Sequence, residues 1–486
     1  MENLNYINIH NLSVTEDSVS LLKYYSNIIN KNNKNLFLSD ILDTKTDYYK
    51  LHKFIYENLN YIYRKLKEYF IDNNSLINLD DYREIISSNN INYTKIVSSI
   101  YYKHLKDSKF ISNEIKNYIY KKPVNSSDIN SFILKYDLLY ENQNINIYFI
   151  IYIQEEYYFN NIKKMLNKYD KYVFHMLAVI NLLIKLTNNN CSKKELNIYI
   201  FNTPFKRTLN NGIKKSTIGP KNINGGFCYG CTDIGNIIIY RREEFFKVLC
   251  HELCHNYGVD KYIFEFINNS LYKKKKSNLY NKFINNFNLS KKINREKYDI
   301  GLQESLIEFW GIFLNTSIFV FNTSQTYNII YYNKLNYYID FFDQLFKYEI
   351  VHTFFQTEKI LKYNNLEINS LLSDTNIKKN NLNNYNETTH VFSYIILKLF
   401  LLINYKEFIN SHISIKKQVT NNILKYKIIF HPSLKNINNF FNYIINIRNS
   451  NAEYIKKNIN YFKILLNKTN NKLLINNSRL SCVEIL

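Results

Sequence analysis

Apolar positions recur at helical spacing through residues 18–139, as in Leu51, Ile55, Leu59 and Ile62, with Asn- and Lys-rich breaks between the segments. The first 140 residues are therefore expected to form a helical N-terminal region. The period then changes. Residues 145–153 form a β-branched and aromatic run of strand length, and residues 196–201 form another. Between them, residues 172–186 predict a buried helix. Further short strands are expected at 226–229 and 236–240, leading into a helix over about 243–257. In that helix Phe245, Phe246, Leu249, Leu253 and Tyr257 make a core-facing stripe. Glu243 and Glu244 fall in its expected first turn, where the helix dipole favours acids, and Gly258 is placed to end it. Beyond Leu302 nearly everything has helical character, apart from a polar stretch at 373–387 that predicts a loop. There is no internal repeat. Helix, then mixed strands and helices, then helix again predicts an α+β chain: a helical region over 1–140, an α+β core over 141–320 and a helical C-terminal region over 321–486.

The chain has 486 residues, 46% of them hydrophobic, enough for a large core divided among two or three subdomains. Its 63 Lys and Arg against 41 Asp and Glu give a formal charge of +22. Such an excess raises nucleic acid or an anionic membrane as partners. It is discounted here because Lys, Asn, Ile, Tyr and Phe are enriched together, a set that shares A/T-rich codons. The charge is also spread along the chain, and its one tight run, Lys273 to Lys276, is expected to be a solvated loop. Six cysteines make no disulfide framework in a chain of this size. No basic segment followed by an apolar one opens the sequence, and the apolar runs at 174–186 and 391–405 are too short or carry Lys185 and Lys398. These features lead to the expectation of a soluble intracellular, cytoplasmic protein with reduced thiols and no membrane span.

The chemistry is carried by His251-Glu252-Leu253-Cys254-His255, an H-E-x-x-H match inside the expected 243–257 helix. Histidines four apart share one helix face, so both imidazoles can reach one tetrahedral Zn²⁺. Glu252 is then placed to take the proton of the attacking water. A catalytic zinc needs a third protein ligand, and a second expected helix over 301–313 carries Glu304 and Glu308 on one face. One could bind the metal while the other accepts the free ring N–H of a histidine ligand. On a helix otherwise lined by Leu306, Phe309 and Trp310, two inward acids need such a reason, because unpaired buried carboxylates are costly.

His251, Glu252 and His255 followed downstream by Glu304 resemble the gluzincin, or thermolysin-like, zinc metallopeptidases. Residues 222–260, with Asn224-Gly225-Gly226-Phe227 and the run Arg242 to Val248, are also similar to predicted metallopeptidases of large DNA viruses, as is Glu304-Ser305-x-x-Glu308-Phe309-Trp310. The resemblance spans about 196–314. It implies a zincin-like catalytic core, with the C-terminal region completing the cleft, and one zinc held by His251, His255 and Glu304. It further implies Glu252 as general base, Glu308 orienting a histidine, and hydrolysis of a protein or peptide substrate. Residues 224–228 would be the edge strand beside the cleft, where Gly226 and Phe227 meet an extended substrate and the glycines let its backbone approach. A plain turn is the other reading of those glycines. His390 and Tyr394, four apart after the polar loop, are the candidates to stabilise the oxyanion. The interval from His255 to Glu304 is longer than in thermolysin-like enzymes, as an insertion holding Lys273 to Lys276 would explain. It leaves both Glu304 and Glu308 open as third ligand.

Two other readings remain. Cys228-Tyr229-Gly230-Cys231 is a C-x-x-C that could hold a structural zinc with Cys250 and Cys254, although those two lie about 100° around the helix from the histidines. The charge and the large helical regions also suit a nucleic-acid-binding or virion structural protein with an inactive protease core. An intact Glu252 argues against that.

Overall fold

The computed structural model describes residues 12–36, 45–70, 79–125, 131–140, 142–152, 162–187, 191, 193–209, 217–261, 286–287, 301–326, 334–372, 385, 387–420, 423–430 and 437–485. The lysine run at 273–276 and most of the polar stretch at 373–387 lie outside them. In chain order the elements are α1 (Glu16–Leu36), α2 (Asp47–Phe70), β1 (Arg83–Ser87), α3 (Ile91–Ile100), a π turn (Tyr101–Leu105), α4 (Asn113–Asn125), β2 (Ser131–Tyr140), β3 (Gln143–Tyr152), α5 (Ile162–Leu186), β4 (Glu195–Phe201), β5 (Gly226–Cys228), β6 (Ile234–Ile239) and α6 (Phe245–Asn256). They continue with α7 (Leu302–Thr326), α8 (Lys334–Tyr363), α9 (Ile368–Leu372), a π-helix (Phe392–Leu397), α10 (Lys398–Ile403), α11 (Tyr405–His412), β7 (Ile413–Thr420), β8 (Ile423–Phe430), α12 (Ile437–Ser450), α13 (Ala452–Lys468) and α14 (Lys472–Asn476). The chain is α+β, with one mixed six-stranded sheet. It divides into two compact units: a sheet unit from 54–206 and 224–259, and a mainly helical unit from 1–53, 207–223 and 260–486.

The sheet has the order β1-β2-β3-β4-β6-β5. Its centre is parallel, β3 with β4 and β4 with β6, while β1, β2 and β5 run antiparallel to their neighbours. Strands covered on both faces lose the polar alternation of a half-exposed sheet, which explains the continuous apolar runs in β3, β4 and β6. One face, through Ile133, Ile150, Phe201, Ile238 and Tyr240, packs against Val97 of α3 and Ile115 and Ile119 of α4. The other carries α5 and α6: Phe149 meets Tyr169 with ring centroids 4.7 Å apart, Tyr172 meets Phe245 at 4.7 Å, and α6 lies on β5 and β6. The expected helical region thus contains β1 and β2 as well as helices. Arg83 starts β1 because its guanidinium, 2.6 Å from buried Asp170 of α5, ties the sheet edge to a helix, and Tyr136 of β2 donates to the same carboxylate at 2.8 Å.

The expectation of reduced thiols is corrected by a disulfide between Cys191 and Cys231, with Cα atoms 5.5 Å apart. The reason is topological. Cys191 precedes β4 and Cys231 precedes β6, and neighbouring parallel strands start side by side although 40 residues separate them in sequence. The bond also removes Cys231 from the C-x-x-C zinc reading, and Cys250 and Cys254 are buried thiols outside that disulfide. Closing a loop of this length restricts the unfolded chain, so Cys191→Ser with Cys231→Ser is expected to lower stability by about 4 kcal/mol, read from a denaturant midpoint under non-reducing conditions.

In the helical unit α7 is apolar all round and long enough by composition to cross a membrane, but 89% of that stretch is buried within the protein. It packs with α8, the π-helix and α10, and α8 in turn packs with α1 and α13. The expected helical C-terminal region is interrupted by the β7–β8 hairpin, whose strands pair over the whole of 413–420 and 423–430. Residues 477–485 enter the core as an extended segment despite their polar composition, and its backbone is met by buried side chains. His352 bonds the Arg479 carbonyl at 3.0 Å, Asn315 donates to the Val483 carbonyl at 3.1 Å, and Glu349 accepts from the amides of Cys482 and Val483 and from the Ser481 hydroxyl.

His52 is fully buried in this unit, with ring centroids of Tyr48 and Phe342 at 4.5 Å and Phe313 at 5.3 Å, and neither ring nitrogen has a hydrogen-bond partner. Burial lowers its pKa to about 3, with Lys406 adding to the shift and Asp343 opposing it. The unfolded chain therefore takes up a proton below the ordinary value of 6.5 that the folded chain refuses until about 3. The stability present above pH 6.5 is lost as the pH falls through this window, at a rate of ~1.4 kcal/mol per pH unit from this group. His52→Phe is expected to flatten the acid limb of a stability–pH profile while leaving neutral-pH stability within about 1 kcal/mol.

Candidate metal centre

The helix that carries His251, Glu252 and His255 starts later than its sequence suggests. Glu244 adopts the left-handed region (φ 55°, ψ 25°), and its carbonyl accepts the first helical bond, from Val248 N at 2.9 Å. Glu243 and Glu244 therefore precede α6 and do not form its first turn. Both are buried. The other end is as expected: Gly258 takes φ +73°, and Val259 N reaches back to the Cys254 carbonyl at 2.9 Å, the five-residue return of a glycine-terminated helix. The apolar stripe faces the sheet and α5, but burial extends around the helix, leaving His255 as its one half-buried residue.

On this helix the His251 and His255 rings lie 5.0 Å apart between centroids and nearly perpendicular, at 73°. Two imidazoles on one side of a buried helix, with Glu252 between them in sequence and 6% exposed, make a donor set whose chemistry suits Zn²⁺. Strand β5, the last in the sheet order, lies against the same helix, and Cys228 Sγ donates to the Glu252 carbonyl at 3.5 Å. The space beside Gly226 is taken by the protein itself. A Cβ there would stand 2.8 Å from the Ile238 carbonyl and 2.9 Å from Val248 of α6, so this glycine admits the helix to the sheet. The Phe227 side chain points to the opposite face, stacked on Phe110 at 5.8 Å.

In the helical unit the other expected residues gather at the start of α7. Gly301 has φ +63°, and a Cβ on it would lie 2.5 Å from His390 Nδ1 and 2.9 Å from Glu304 Cγ. Glu304, in the first turn, and His390 are thus brought to one point by a residue that only glycine satisfies. His390 sits just before the π-helix. Its carbonyl accepts from Tyr394 N at 2.9 Å, and the two rings are 6.1 Å apart. One turn beyond Glu304, Glu308 is fully buried and pairs with Lys398 Nζ at 3.7 Å, both side chains being 1% exposed.

Two residues of this region were missed from sequence. Lys398 served only as a charge that argues against a membrane span. Glu387 closed a polar stretch, yet it is buried, accepts from the Tyr385 hydroxyl and from Phe392 N at 2.8 Å, and has its pKa pushed up to about 8 by burial. It holds the chain just ahead of the π-helix, three residues from His390. An acid placed shortly before an apolar run was the signal that could have found it.

Comparison with protein-family models, curated proteins and solved structures gives no match to this chain. Crowding at Gly301 sets a direct test of the His390–Glu304 arrangement. Gly301→Ala is expected to lower stability by about 2–4 kcal/mol, combining backbone strain with displacement of His390. Gly230→Ala, at φ +74° with nothing within 4 Å, is expected to lose only the backbone part, about 1–2 kcal/mol, in the same denaturant titration.

Proposed function

We propose that the protein is a zinc-dependent metallopeptidase with a zincin-like catalytic core. The observation that carries this reading is the H-E-x-x-H sequence on a buried helix whose two histidine rings share one side 5.0 Å apart. By the sequence resemblance Glu304 would be the third ligand beside His251 and His255, and two imidazole nitrogens with one carboxylate oxygen are a ligand set for one Zn²⁺ that leaves a position open. Glu304 is preferred to Glu308 as third ligand because the Glu308 carboxylate already faces the Lys398 ammonium, and a second cation there would be repelled. Glu308 is left to accept the free ring N–H of a histidine ligand.

Bound zinc would lower the pKa of water toward ~7 and polarise the scissile carbonyl. Glu252 takes the proton from the attacking water and delivers it to the leaving amine. His390, beside Glu304 at Gly301, is the donor for the developing oxyanion, with Tyr394 the alternative. The substrate is a protein or peptide in extended form, recognised by backbone hydrogen bonds along the outer edge of β5.

Metal content by mass spectrometry, paired with peptide hydrolysis, tests the reading. The wild type is expected to hold one zinc per chain and His251→Ala to lose it. Glu252→Gln should retain zinc while hydrolysis falls by about 10²–10⁴-fold. Undiminished hydrolysis by zinc-loaded Glu252→Gln would overturn the mechanism.

A further inference from the structure

The cysteines of the chain differ in how far solvent reaches them. Cys250, Cys254 and Cys482 are buried, whereas Cys228, at the end of β5, is partly exposed. The Cys191–Cys231 disulfide is uneven in the same way. Cys191 is 4% exposed, while Cys231 lies on the exposed connection from β5 to β6. The accessible thiol and the accessible half of the disulfide are thus the two ends of Cys228-Tyr229-Gly230-Cys231, the spacing at which cysteines readily exchange a disulfide. The connection has room at its middle, since Gly230 adopts φ +74° and a Cβ on it would meet nothing within 4 Å. Lys193 donates to the carbonyls of Gly230, at 3.5 Å, and Thr232, so its ammonium brackets the backbone of Cys231. A positive charge there draws in a negatively charged thiol. Asn256, the last residue of α6, holds the Gly230 carbonyl at 3.1 Å, and Cys228 donates to the Glu252 carbonyl at 3.5 Å, a weak bond that is readily broken.

We propose that Cys228, Cys231 and Cys191 form a thiol–disulfide exchange site that takes small anionic thiols of the glutathione class. The incoming thiolate attacks the Cys231 sulfur and forms a mixed disulfide there. The Cys191–Cys231 bond breaks, and Cys191 leaves as a thiolate that takes a proton from water. Cys228 then gives its proton to water and attacks the same Cys231 sulfur, forming Cys228–Cys231 and releasing the small thiol. One disulfide replaces another, so nothing is oxidised or reduced overall. Exposure sets the direction: attack falls on Cys231, which solvent reaches, and the departing sulfur is the buried one. The product joins residues three positions apart where the original bond joins residues 40 apart, so the tie between the starts of β4 and β6 is released. The same step draws Cys228 away from the Glu252 carbonyl and so links the thiol pool to α6. None of this rests on the metallopeptidase reading.

The test is disulfide mapping of the full-length chain in a buffer of reduced and oxidised glutathione, by acid quench, alkylation and peptide mass spectrometry. Wild type is expected to yield a Cys228–Cys231 link with Cys191 alkylated. Cys191→Ser removes the departing sulfur, so that only Cys228 can resolve an adduct on Cys231. With oxidised glutathione this variant should show the Cys228–Cys231 link, and adding Cys228→Ser should raise the glutathione retained on Cys231 by about tenfold or more. A parallel sample alkylated without denaturant is expected to leave Cys250, Cys254 and Cys482 unlabelled, placing the exchange in the folded chain. Labelling of those three as fast as the exchange would assign it to the unfolded chain and defeat the proposal. So would an unchanged Cys191–Cys231 bond in wild type, or a Cys231 adduct equally abundant with and without Cys228. The wild-type arm decides the matter by itself if the variants do not fold.

Discussion

A carboxylate has no place in an apolar helix bundle unless something meets its charge, and the helical unit is arranged around how two of them are met. Glu308 is answered by Lys398, and Glu349 by two backbone amides and the Ser481 hydroxyl of residues 477–485. Burial still raises the pKa of Glu349, with those hydrogen bonds and Lys398 pulling the other way. Both solutions depend on the same extended segment, whose Leu480 carbonyl also fixes Lys398. Removing any member leaves a desolvated charge behind, which costs several kcal/mol where a lost apolar contact costs one or two. The polar residues of the segment are therefore as much a part of the core as the phenylalanines around them.

Burial of polar groups also gives the sheet unit its character. Glu252 and His251 lie on a helix with almost no exposed face, and the glycine beside it, Gly226, is there so that the helix can sit close to β5 and β6. A helix held by packing on every side keeps its imidazoles in fixed directions, as the proposed role in binding zinc would require. At the start of α7 the same economy of space recurs, with Gly301 leaving room for Glu304 and His390 together.

Local pattern and long-range pairing were not equally legible in the sequence. The strands β3, β4 and β6 announced themselves by short β-branched and aromatic runs, and the buried helix α5 and the H-E-x-x-H helix by apolar positions at helical spacing. The start of α6 did not. Glu244 takes a left-handed turn that no propensity favours, and acids before a helix look the same as acids within it. Nor did the β7–β8 hairpin, where Ile413 and Ile415, separated by Ser414 and followed by Lys416 and Lys417, make too short a pattern to fix a period. The pairs Cys191–Cys231 and Glu308–Lys398 were hidden for a different reason. Each is created by topology, the first by parallel neighbours starting together and the second by helices 90 residues apart, and no spacing rule joins such residues. Gly226 was legible as important but not for its reason, since a glycine that admits a substrate and one that admits a helix look alike in sequence.

The division of the chain has a consequence for the order in which the protein can be made. Residues 54–206 and 224–259 contain everything in the sheet unit, so that unit has all its parts while more than two hundred residues are still to be added. The helical unit draws on residues before, within and after that stretch, and its interior includes Ser481, Cys482 and Val483. During synthesis, α8 must wait with Glu349 unanswered, and Lys398 must wait for the Leu480 carbonyl, until that segment leaves the ribosome. The interval exposes a large apolar surface in a partly finished chain, and such intermediates are the usual clients of chaperones.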